Sequence, residues 1–168
     1  GSYKGNVSMG TGLMNGKYTI DGRYSFIKSN GFIDRAKSDL HGIYFSAGKI
    51  SEKSILKLQI ISGKENTYQA WNGVPESRFN NDETELLQHF FRNQGTLYNS
   101  PEDSVNLFNS DHRYNYYRYT NQVDNYRQTQ SQLSYQLALK PKLILQTTLF
   151  YTYGTGYFEQ FRYQDAFE

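Results

Sequence analysis

Three histidines, His41, His89 and His112, stand far apart in the sequence, each without a second His or a carboxylate at ligand spacing. Ordinary polar positions fit them better than a metal centre. Asp34, Asp124 and Glu159 sit at loop edges beside Arg or Asn, where ion pairing or loop anchoring fits better than paired acid and base chemistry. No Cys is present, which removes thiolate nucleophiles, disulfides and thiolate metal sites. Gly10-Thr11-Gly12 and Gly154-Thr155-Gly156 lie in or at the ends of strands with no following helix. They read as bends or close-packing points, with no phosphate cradle. The sequence therefore predicts no enzyme, no catalytic residue, no metal and no cofactor.

Binding chemistry is better represented. Arg113 and Arg118 interleave with Tyr114, Tyr116, Tyr117 and Tyr119, a combination that suits stacking on sugars, siderophore rings or bases. The competing reading places these tyrosines in an interfacial girdle at headgroup level, and for Tyr119 that reading is preferred. Trp71, the single Trp, lies in a turn-rich stretch ending at Pro75 and serves either loop packing or ligand contact. The candidate ligand-binding set is Trp71, Arg78, Tyr114, Tyr116, Tyr117 and Arg118.

Strict alternation marks the elements that must carry this set. Tyr18, Ile20, Gly22, Tyr24 and Phe26 oppose Lys17, Thr19, Asp21, Arg23 and Ser25. Leu133, Tyr135, Leu137 and Leu139 oppose Gln128, Gln130, Gln132, Ser134 and Gln136. This period of two predicts strands over Lys4–Met14, Lys17–Lys28, Asp39–Lys49, Ser54–Gly63, Tyr126–Leu139 and Leu143–Tyr153. Asn15-Gly16 is a two-residue hairpin signal. Ile50–Lys53 and Lys140-Pro141-Lys142 are also tight, whereas Ser29–Ser38 and Lys64–Asn125 are long. Within the last, Asp82-Glu83-Thr84 before Leu86, Leu87, Phe90 and Phe91 predicts one capped short helix.

Tight turns at one end and long loops at the other are the organisation of a transmembrane β-barrel. Each expected strand reaches the roughly 9–11 residues that cross a bilayer with tilt. The fold class expected is all-β: an antiparallel meander of about six long strands from a barrel wall, with a short helix in one long extracellular loop over 64–125. Leu133, Leu137, Leu145 and Leu149 would meet lipid. Asp21, Arg23, Lys57, Gln128, Gln130 and Gln132 would face the lumen.

Composition agrees with a wet interior. Hydrophobic residues make up 37% of the 168, and 16 of them are Tyr, so a large oily core is not expected. The formal charge of +2 favours neither nucleic acid nor any other charged partner. No apolar run resembles a transmembrane helix. Gly1–Gly10 lacks the apolar run of a secretion signal, so any signal is expected to be removed or to lie elsewhere.

Gly10-Thr11-Gly12-Leu13, Asp21-Gly22-Arg23, Gly31-Phe32-Ile33-Asp34-Arg35-Ala36, Ser62-Gly63-Lys64-Glu65, Tyr68-Gln69-Ala70-Trp71-Asn72-Gly73-Val74-Pro75-Glu76, Asn121-Gln122-Val123-Asp124-Asn125-Tyr126 and Gly156-Tyr157-Phe158-Glu159-Gln160-Phe161 follow one another along the chain. In these runs the sequence resembles the barrel of Bacteroidota-type TonB-dependent outer-membrane receptors. The resemblance implies an active transporter in the Gram-negative outer membrane that imports a scarce nutrient: an iron chelate, cobalamin, a glycan or a peptide. It implies a barrel of about 22 strands around a plug. The expected partners are outer-membrane lipid, the rest of the barrel and its plug, the TonB complex reached through that plug, and the nutrient, with no nucleic acid. Residues 1–168 carry no plug, TonB box or C-terminal strand of that pattern and read as an interior stretch of the barrel. The alternative is a soluble β-rich carbohydrate- or adhesin-type binding module, which the sorted loop lengths do not favour.

Overall fold

The computed structural model describes residues 1–162. Six strands, β1 (Ser2–Gly10), β2 (Tyr18–Ser29), β3 (Ser38–Ile50), β4 (Ser54–Tyr68), β5 (Val123–Lys140) and β6 (Leu143–Phe158), form one antiparallel meander in sequence order. Between β4 and β5 stand three short helices, α1 (Glu76–Phe79), α2 (Glu83–Asn93) and α3 (Pro101–Asn109). The all-β meander is thus as the alternation predicts, with two helices more than expected.

Strand ends differ from the sequence reading for local reasons. β1 stops at Gly10; beyond it the Thr11 N–H still donates to the Ile20 carbonyl at 2.9 Å, Gly12 takes a φ of +63°, and pairing resumes at the Met14–Tyr18 bridge. The hairpin beyond has positive φ at both Asn15 (49°) and Gly16 (67°), the backbone that an Asn-Gly turn supplies. β4 continues past Gly63 to Tyr68. Its Lys64–Thr67 run is polar on both faces and reads as loop, but pairing with β3 on one side and β5 on the other holds it extended. β5 begins at Val123 for the same reason, so the long connection is residues 69–122.

Register fixes which residues share a face, because directly paired residues point the same way. One row runs Ile20–Ala47–Leu58–Leu133–Leu149, and another Met9–Gly22–Phe45–Ile60–Ser131–Tyr151. Leu137 and Leu145 pair on this same face. Asp21 and Arg23 are carried through Ser46, Tyr44, Gln59 and Ile61 to Gln132 and Gln130, with Lys57 and Gln128 alongside, on the opposite face.

Among the described residues neither face is covered by a second layer. Of the strand residues only Ser46 and Tyr68 are buried, and every residue of β6 is exposed. Met9, Ile43, Phe45, Leu133, Leu149 and Tyr151 all lie open on the apolar face. Six strands spaced about 4.8 Å apart, over about 27 Å of strand, give that face an area on the order of 600 Å². The molecule's buried apolar core lies elsewhere, in the 69–122 connection: Leu86, Leu107, Tyr98 and Tyr114.

Candidate functional site

Local sequence builds the 69–122 loop. Asp82 caps α2 by accepting from the Glu85 N–H at 3.0 Å. Ser100 and Asp103 form a reciprocal capping box on α3, with Pro101 in its first turn. Both devices satisfy N–H groups that a helix start leaves orphaned. The two helices then bury Leu86 and Leu107 against Tyr98 and Tyr114, with Val74, Phe90, Leu97, Phe108 and Tyr116 packed around them.

The six candidate ligand residues fall into two groups. Arg78, Tyr114 and Tyr117 are buried. Arg78 donates from Nη2 to the carbonyls of Leu107 and Phe108, both at 3.0 Å, and from Nη1 to Glu83 at 3.3 Å. It thereby satisfies the last-turn carbonyls of α3. Tyr114 is a core ring, and desolvation drives its hydroxyl far above the usual tyrosine range. Tyr117 donates to Asn72 Oδ1 at 3.0 Å and stands edge-on to Trp71 and Tyr116, with centroids 6.0 and 5.1 Å away. These three hold the loop together. Trp71, Tyr116 and Arg118 are the members with surface to offer, Trp71 being 60% exposed.

Tyr116 and Arg118 border a cleft of about 500 Å³, together with Asn99, Tyr119, Gln122 and Phe161. Arg118 donates to Asp103 Oδ1 from Nη2 at 2.8 Å and from Nε at 3.1 Å, and to Ser100 Oγ at 3.1 Å. Its charge is matched inside the wall, and it locks the start of α3. Burial, with the Asp103 carboxylate next, raises the Tyr116 hydroxyl pKa, so the group stays a neutral donor. Tyr119 and Phe161 lie 5.7 Å apart at 33°, a tilted aromatic pair at the edge. Gln122 is buried, with its Oε1 accepting from the Tyr119 N–H at 2.9 Å. Aromatic faces beside amide groups and a neutralised ion pair can bind a ligand by stacking and hydrogen bonding.

Tyr119, Gln122 and Phe161 lie outside the expected set. Tyr119 belongs to the Arg-Tyr cluster, where the sequence favours a girdle position for it. Gln122 stands three residues after Tyr119 and is bonded to its N–H, whereas Phe161 comes from beyond the end of β6, a juxtaposition that local sequence does not encode.

Two connections of the loop end are joined. Asn115 donates from Nδ2 to the carbonyls of Asp34 at 2.7 Å and Gln69 at 3.0 Å, while its Oδ1 accepts from the Tyr117 N–H at 3.0 Å. Arg35 donates to the carbonyls of Tyr117 and Asn115 at 2.9 and 3.0 Å. Arg113 pairs with Asp34 at 3.2 Å and donates to the Phe32 carbonyl at 2.9 Å. The Gly31–Ala36 turn is thus stitched to the end of the long loop.

The histidines are engaged locally. His89 contacts the Tyr98 hydroxyl at 2.9 Å and His112 the Asn81 side chain at 3.2 Å. His41 departs from the isolation expected of it. Alternation brings Asp39 onto its face at 2.8 Å, and Tyr24 closes on its other nitrogen at 2.6 Å.

Comparison with protein-family models, with curated proteins and with solved structures returned no match to this chain.

Proposed function

We propose that residues 1–162 form part of the wall of an outer-membrane β-barrel of the TonB-dependent receptor type, a transporter that imports a scarce nutrient. The 69–122 loop stands outside the cell as part of the capture surface. The observation that carries this reading is the apolar belt. All six strands contribute to it on one face, the amide-rich set Gln128, Gln130 and Gln132 occupies the other, and among the described residues no second layer covers either, the loop touching the sheet only at its end through Tyr68 and through Trp71 against Phe158.

The belt's limits support it further. On β3 the apolar rows run between Lys49 and His41, about 27 Å of extended chain. At barrel tilt that is about 20 Å of height, comparable with the about 25 Å lipid-facing band of such barrels. A soluble two-sided sheet would need a second layer over this face. The open outer edges of β1 and β6 call for further strands of the same barrel, since unpaired backbone is costly in hydrocarbon.

In this reading the polar face lines the lumen against a plug domain. Asp21, Arg23, Lys57 and the Gln residues supply its wetted wall. Energy coupling belongs to the plug and its TonB contact, outside these strands. Ligand contact belongs to the cleft edge formed by Tyr116, Tyr119, Gln122 and Arg118, and to Trp71.

Fractionation tests the reading. The full-length protein is expected in the outer-membrane pellet, extractable only with detergent. Recovery as a monodisperse species in plain buffer would replace it with a soluble binding module.

A further inference from the structure

One rung beyond the apolar belt, the ladder sets Lys64 of β4 directly against Arg127 of β5, and His41 of β3 pairs with Lys64 on its other side. Like charges directly opposite in an antiparallel pair repel and weaken the ladder. Among the described residues no carboxylate relieves them. Glu65 follows Lys64 and points to the other face. Asp39, on the belt face, is engaged by Lys28 at 3.1 Å and by His41 at 2.8 Å. Among the described residues neither Lys64 nor Arg127 makes an ion pair. Both are exposed.

Their level on the wall indicates what could neutralise them. Tyr153 pairs with Thr129 one rung toward the belt, Tyr24 pairs with Ile43 in that same row, and Tyr157 lies one rung outward. Tyrosine rings in a barrel's girdle sit at headgroup level. Cations interleaved with that girdle, on the lipid side, therefore lie where lipid phosphates are. Lys offers a point charge and Arg a donor fork, both suited to phosphate oxygens.

We infer that Lys64 and Arg127 form a site on the outer wall for the phosphate of an anionic lipid headgroup in the outer leaflet. The inference rests on the membrane reading above. A bound phosphate converts a repulsive cross-strand pair into a bridged one, so β4 and β5 hold together best in phosphorylated lipid.

The test uses the full-length protein, delipidated in neutral detergent. It is titrated with lipopolysaccharide carrying its lipid phosphates, with the dephosphorylated form, and with inorganic phosphate, and binding is read by native mass spectrometry. The phosphorylated lipid should bind, and Lys64→Gln and Arg127→Gln should each weaken it about fivefold. Lys57→Gln, on the other face, should leave it unchanged. Thermal unfolding adds a change of sign. Without phosphorylated lipid the single variants should melt at or above wild type, because repulsion is relieved; with it they should melt below.

Equal binding of both lipid forms, or variants that bind like wild type, would overturn the site. Saturation by inorganic phosphate alone would make it a free-anion site and overturn the lipid assignment. A protein that stays monodisperse without detergent fails the membrane reading itself, before any titration. One that needs detergent yet ignores the headgroup fails only this inference.

Discussion

Arg35 and Asn115 tie their two segments together across 80 residues of sequence: Arg35 Nη2 donates to the Asn115 carbonyl at 3.0 Å, and the Asn115 amide donates to the carbonyl of Asp34, the residue before Arg35, at 2.7 Å. Arg35 has a positive φ of 65°, a conformation uncommon for a side chain of its size. Asn115 is buried at 2% exposure. The pair joins the 30–37 turn to the long loop, and with it fixes the cleft above β5.

Asn115→Asp should therefore destabilise the loop although the shape is kept. The variant replaces an amide that donates to two carbonyls with a group that can only accept when ionised. Leaving buried partners unsatisfied costs about 1–3 kcal/mol each, so local stability should fall by about 3 kcal/mol. Amide hydrogen exchange over residues 69–122 in the full-length protein reads this directly. Wild-type protection in the variant would mean that the junction does not hold the loop.

Leu133 and Gln132 are neighbours in sequence and point to opposite faces, with Leu149 and Phe150 as their respective β6 partners. At mid-bilayer an Arg on the lipid face costs roughly 2–4 kcal/mol, while a lumen-facing Arg meets water. On the proposed barrel reading, Leu133→Arg should reduce the folded, membrane-inserted fraction far more than Gln132→Arg, as read by heat-modifiable gel mobility. Leu137→Arg, on the same face nearer the turn, should cost less than Leu133→Arg. Equal tolerance at 132 and 133 would remove the face assignment.

The strands were legible because a period of two is a local property of sequence, visible in Gln128, Gln130 and Gln132 without knowing any partner. Their ends were not, since Lys64–Thr67 is extended by its neighbours and not by its own pattern. One miss was avoidable: Ser100-Pro101-Glu102-Asp103 is a capping box with Pro at the helix start, and it announces α3 as plainly as Asp82 announces α2. The candidate site was legible as a region but not residue by residue. Tyr114 and Tyr117 face inward while Tyr116 reaches the cleft, a division set by α3 and by Asn115, which no periodicity in 113–119 carries.

His89 gives the loop a pH dependence. Burial, then Arg92, lowers its pKa from the ordinary 6.5, so the folded loop binds its proton less readily than the unfolded chain. Stability from this group is present above about pH 6.5 and is lost as pH falls below that value toward the folded pKa, where the unfolded state takes up the proton first. Exchange protection of α2 should weaken between pH 7.5 and pH 5.5, and His89→Gln should flatten that trend. Protection that rises on acidification in the wild type alone would reverse the sign and dismiss the argument.

The cleft offers the sharpest division between holding a loop and holding a ligand. Arg118 bonds twice to Asp103 and once to Ser100, so Arg118→Ala removes the lock on α3 and should loosen the whole wall. Tyr119 is 43% exposed, and its backbone N–H, not its ring, carries the bond to Gln122. Tyr119→Ala should thus leave exchange protection in α2 and α3 unchanged, yet remove a stacking face worth about 1–3 kcal/mol to a planar or sugar ligand, a loss of about 5- to 150-fold in affinity. Tyr116→Phe keeps the ring and deletes the donor, so a loss confined to this variant would mark recognition by hydrogen bonding and not by stacking. The measurement is uptake and binding of candidate iron chelates, cobalamin, glycans and peptides by cells carrying each full-length variant. If Tyr119→Ala and Tyr116→Phe both transport as wild type while Arg118→Ala fails, the cleft is a structural seam, and in the proposed transporter the ligand must be sought at Trp71 or outside these residues.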